Sequence, residues 1–133
     1  MTSDQQEIYY IIERYFPDAN IECKTDKIIQ VKQKCANKYF AFSFNVSLNE
    51  KEHALALLPL NIYFLNNINL NSDSIISVDS DLIQGIQLIL NEIQKYQDLF
   101  NNVKSALQVW TSNNNMQFVL KASNNKAYKY LEW

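Results

Sequence analysis

From Leu82 to Trp110, apolar side chains recur at alternating spacings of four and three: Leu82, Ile86, Ile89, Ile93, Tyr96, Phe100, Val103, Leu107 and Trp110. That rhythm keeps one stripe of a helix apolar, and neither a strand nor a loop uses it. The preceding Asp79-Ser80-Asp81 supplies a cap and first-turn acids. A stripe this long can zip two chains together. However, Ile83, Leu88, Leu90, Leu99 and Val109 widen it beyond a narrow seam, and a wide face suits a helix laid across a sheet. The reading adopted is sheet packing, with a homodimer through the 82–110 helix where that helix overhangs. Asn101-Asn102 leaves its end open. Either the helix runs on, or it stops and Ala106–Trp110 forms a hairpin with Met116–Lys121 around Asn113–Asn115. The hairpin is taken into the order of elements.

The clearest strand signal lies at 39–48. Phe40, Phe42, Phe44, Val46 and Leu48 alternate there with Ala41, Ser43, Asn45 and Ser47, as in a half-buried antiparallel strand. Before it, Ile21–Lys24 and Ile28–Lys34 read as strands joined by Thr25, Asp26 and Lys27. Residues 3–16 read as a helix with Ser3 as N-cap and a stripe of Ile8, Ile11, Ile12, Tyr15 and Phe16, stopped by Pro17. The stretch 54–65 is ambiguous. Ser47 and Glu50 have capping-box spacing for a helix, but a strand that Pro59 displaces to an edge or breaks in two is preferred. The Asn- and Ser-rich stretch 66–81 reads as a loop, and the last residues as a short helix or closing strand. No repeat or linker divides the chain. Residues 1–133 read as one α+β domain, a two-layer sandwich of an antiparallel sheet (about five strands), an N-terminal helix and a long helix within 80–110.

Function is narrowed first by what the chain lacks. Gly85, His53 and Arg14 are its only glycine, histidine and arginine. Phosphate-cradling loops, dinucleotide fingerprints and nucleophile elbows need glycine for positive φ or close approach. His53, beside Glu50 and Glu52, reads as a surface residue at an element boundary, and with Cys23 and Cys35 it makes no ordinary zinc spacing. Asp79 and Asp81 read as helix capping, and with Asp73 they lack the glycine of an EF-hand loop. No metal and no cofactor are expected. A hairpin at Lys24–Lys27 carries Cys35 past Cys23, so both thiols read as reduced. The polar start, MTSDQQE, does not read as a signal peptide, and the longest apolar run, Ala54–Leu65, is too short to span a membrane. A cytoplasmic location without a membrane partner is expected. The formal net charge of −2 argues for neither nucleic acid nor a charged surface.

Binding is what remains. The C-terminal aromatics Tyr128, Tyr130 and Trp133, with Tyr96 and Trp110 on the long helix, are candidate protein contacts, since large amphipathic rings concentrate at recognition surfaces. Lys24, Lys27, Lys32, Lys34 and Lys38 form a possible basic surface for nucleic acid. Lysine on a strand edge is also a routine guard against aggregation, and no arginine stands nearby to read bases. The expected function is a non-enzymatic protein-binding module: a small inhibitor, an immunity-type protein or a secretion chaperone, gripping a toxin, an effector or itself. The alternative is a small-ligand or enzymatic domain with a pocket between sheet and long helix. The order of first helix, antiparallel sheet and long helix resembles the layout of type III secretion chaperones, which implies a dimer through the 82–110 helix. The chain departs from that layout at 54–65, where those chaperones carry a helix.

Overall fold

A computed structural model describes residues 1–34, 40–64 and 80–121, with side-chain surroundings for all of these except 64 and 80–85. The first helix, α1 (Ser3–Tyr15), starts one residue earlier than its sequence suggests. Thr2 is the N-cap: its Oγ1 accepts from the Gln5 amide N–H, and Gln5 Oε1 accepts from the Thr2 N–H, both at 3.2 Å. Ser3 has Gln6 at the same spacing, but Gln6 faces solvent. Gln5 is buried and donates from Nε2 to the Thr25 carbonyl at 2.7 Å, so the Thr2 box also fastens α1 to the sheet.

The strands are β1 (Asn20–Cys23), β2 (Ile28–Lys34), β3 (Phe40–Asn49), β4 (Ala54–Leu57) and β5 (Asn61–Phe64). The long helix α2 (Ser80–Asn113) and β6 (Gln117–Leu120) follow. The sheet runs β1-β2-β3-β4-β6, with β5 beside β3 in line with β4. Pairing is antiparallel except between β4 and β6, where Leu55 lies opposite Phe118 in a parallel ladder. The two-layer α+β sandwich is thus the architecture of the chain, built on a mixed sheet.

β3 holds the centre because Phe40, Phe42, Phe44, Val46 and Leu48 all point into the core. Its other face closes as well. Ala41 and Ser43 are buried between longer neighbours, Lys34 and Lys32 on β2 and Tyr63 and Asn61 on β5. The 54–65 segment is strand, broken in two at Pro59. Leu57 pairs with Val46 and Asn61 with Ser43, so Leu58, Pro59 and Leu60 face only Phe44 and Asn45. That is a bulge of one residue, the place where a missing N–H costs least. It switches the parity of the strand: Leu55 and Leu57 face the core before it, Ile62 after it.

The hairpin expected after Asn101-Asn102 does not form. α2 continues to Asn113, Ala106–Trp110 is helical, and β6 takes β4 as partner. Both asparagines face solvent while Val103, Leu107 and Trp110 lie buried on the opposite side. Burial of that stripe outweighs the few tenths of a kcal/mol (about 0.7 at most per residue) that asparagine loses in a helix. An aromatic chain joins the layers. Phe16 meets Phe42 and Phe44 at centroid distances of 5.4 and 5.5 Å, Phe42 meets Tyr96 at 4.5 Å, and Phe44 meets Phe100 at 5.2 Å.

Candidate functional site

The structure disperses the aromatic set read from the sequence. Tyr96 and Trp110 are 7% and 8% exposed and belong to the core, so neither offers a contact surface. Trp110 Nε1–H donates to Glu7 Oε2 at 3.0 Å, a tie between α2 and α1. Tyr128, Tyr130 and Trp133 lie outside the described residues, as does Lys38.

The remaining lysines share a region without forming a patch. Lys24, Lys32 and Lys34 fall on the sheet face away from the helices, and Lys27 on the turn between β1 and β2. Lys24 is ion-paired with Glu22 at 3.1 Å, and Ile28 and Gln30 stand between it and Lys32. On the same face Gln30 and Asn45 sit opposite each other, and their carboxamide oxygens are shielded without hydrogen-bond partners.

His53 serves backbone geometry. It is exposed, holds φ 48 at the end of the β3–β4 turn, and its carbonyl accepts from the Gln117 N–H at 2.7 Å. Among the described residues no cluster of three or more His, Cys, Asp or Glu could hold a metal ion. Asp73 and Asp79 lie outside the described residues, and so does the side chain of Asp81. Cys23 is a free, half-buried thiol, and Cys35 is outside the described residues. Tyr9 has a perturbed pKa. Partial burial, then a hydrogen bond and the negative charge of Glu13, push its hydroxyl above the usual tyrosine value.

Two surfaces stand out among the described residues. An open cleft of about 290 Å³ lies between α2 and the approach to β5, lined by Leu60, Gln94, Gln97, Phe100 and Asn101. Its carboxamides around one aromatic ring supply no acid, base or nucleophile. Its volume is at the lower limit for a small-molecule site, about 300 Å³. The second surface is the start of α2. Ile86, Leu88 and Leu90 are 49%, 68% and 53% exposed, while Ile89 and Ile93 on the stripe between them are half-buried. Ile86 and Leu90 lie on one flank of the stripe and Leu88 on the other, while Gln87 and Asn91 keep the outer face polar. Large apolar side chains exposed this close together commonly mark a contact surface. The sequence places Ile86 on the stripe and Leu88 and Leu90 in its breadth; the position of the two leucines off the four-three rhythm was the signal that they point elsewhere.

No helix among the described residues is long and apolar enough to cross a membrane. No described protein family, curated protein or solved structure matches this chain at a significant level.

Proposed function

We propose that this chain is a non-enzymatic, cytoplasmic protein-binding module whose contact surface centres on the first turns of α2. The supporting observation is the exposure of Ile86, Leu88 and Leu90 within little more than one turn of a helix whose later turns are fixed in the core. Burying a fully exposed leucine or isoleucine contributes roughly 1.5–3 kcal/mol, and about half of that remains to be gained at each of these three, which offsets part of the cost of association. The fitting partner is a protein with an apolar groove and a polar rim, such as a toxin or effector neutralised by tight association. The strands β4 and β5, where secretion chaperones carry a helix, favour an inhibitor or immunity-type protein over a chaperone.

The test compares the tagged full chain with a Leu88→Glu, Leu90→Glu variant in native lysate, followed by a moderate-salt wash and mass spectrometry. The expected result is one stoichiometric partner held by the parent chain and lost by the variant, with unchanged circular dichroism and Tm. A partner retained equally by both chains would move the contact off α2. Retention of no protein would remove the binding reading.

A further inference from the structure

β1 ends the sheet, and among the described residues no strand lies on its outer side. The Lys24 N–H donates to the Ile28 carbonyl at 2.9 Å, which sets the phase of the β1–β2 ladder. Bonded pairs alternate in an antiparallel ladder, so Glu22 with Gln30 and Asn20 with Lys32 exchange the other bonds. The N–H and C=O groups of Ile21 and Cys23 therefore point away from β2, ready for another strand. Glu22 and Lys24 share the face away from the helices, half exposed and ion-paired at 3.1 Å. Edge strands are commonly guarded by lysines of one sign, which repel a second copy. Here the sign alternates along the edge, so the edge complements its own antiparallel image.

We propose that β1 is a self-association edge, at which two copies of this chain pair β1 with β1 about a two-fold axis at Cys23, each Glu22 opposite the other copy's Lys24. Charge selects this register. An axis at Glu22 sets glutamate against glutamate, and an axis at Lys24 sets lysine against lysine. An axis at Ile21 pairs Glu22 with Asn20 and sets Lys24 against Asp18, which lies in the turn ahead of β1 and outside the strand. Only the axis at Cys23 pairs both charges, at non-hydrogen-bonded positions where side chains approach most closely. Cys23 then meets its copy in a hydrogen-bonded pair, Cα atoms about 5.5 Å apart and within disulfide span. On the helix side the seam is flanked by α1, where Tyr9 and the largely exposed Tyr10 pack edge to face at 6.1 Å. So short a strand pair buries less than a standard interface of about 1,600 Å², and the dimer is weak and concentration-dependent.

The proposal stands independently of the α2 contact, and the experiment separates them. The full chain carrying Cys35→Ser, with Cys23 as its single thiol, is followed by sedimentation velocity across concentration and by mild oxidation. Dimer should grow with concentration and be trapped through Cys23. Glu22→Lys alone and Lys24→Glu alone should each weaken association about tenfold, and the two together should restore it. Leu88→Glu with Leu90→Glu should leave it unchanged. A chain that stays monomeric at millimolar concentration would overturn the proposal. So would a charge swap as weak as its single components, failure to trap a Cys23 dimer, or association lost with the leucines.

Discussion

His53 and Asn115 hold φ of 48 and 54, the left-handed region where glycine is least hindered, while the chain's only glycine, Gly85, lies inside α2. Each ends an element: His53 closes the turn into β4, and Asn115 follows α2, after which the Met116 N–H returns to the Thr111 carbonyl at 2.8 Å. Asparagine tolerates this region through its short polar side chain, whereas histidine carries a ring there with no described partner holding it. His53→Gly is therefore expected to stabilise the fold by about 0.5–1 kcal/mol, relief of strain exceeding the added freedom of the unfolded chain. Asn115→Gly is expected to stay within about 0.5 kcal/mol of the parent. Urea midpoints at constant m would show this, and a lowered midpoint for His53→Gly would mean that the ring contributes to the native state.

At the scale of elements, β3 carries the fold through Phe42, whose ring lies between Phe16 of the α1 C-cap and Tyr96 of α2. Phe42→Ala removes the shared partner of both, and a loss of about 3–5 kcal/mol is expected in urea unfolding. A loss under about 1 kcal/mol would mean that the layers hold without it. This element was legible in advance because its alternation is unbroken over 39–48, and β2 was found within its observed bounds for the same reason. The run of α2 past Asn101 was not legible. Local propensity favours a stop there, and only the burial of Val103 and Leu107 against the sheet reverses it. β6 could be recognised as a strand, but its parallel partner could not, since pairing between distant segments leaves no local pattern. The bulge before β5 does leave a trace: Leu57 and Leu58 are adjacent, so the apolar parity changes between them. For the candidate surface, Tyr96 and Trp110 were misleading because the same residue types fill cores and anchor interfaces.

For the whole molecule, protection should follow position in the sheet. β3 has strands on both sides and its apolar face buried under both helices, whereas β1 and β6 each have, among the described residues, a neighbour on one side only. Native-state hydrogen exchange is expected to find the slowest amides in β3 and the fastest strand amides in β1 and β6. Equal protection in β6 and β3 would contradict that hierarchy. The β4–β6 pairing carries a consequence for synthesis. On the ribosome, β1 to β4 emerge in order, and each can join its predecessor at once. Their apolar face, with Ile29, Val31, Phe42 and Leu55, has no cover from α2 until the stripe from Tyr96 to Leu107 leaves the exit tunnel. The far side of β4 waits longer still, for β6. The nascent chain is for that interval an adhesive, open-edged array of hairpins, and the pace of translation between Leu57 and Gln117 sets how long it depends on chaperones.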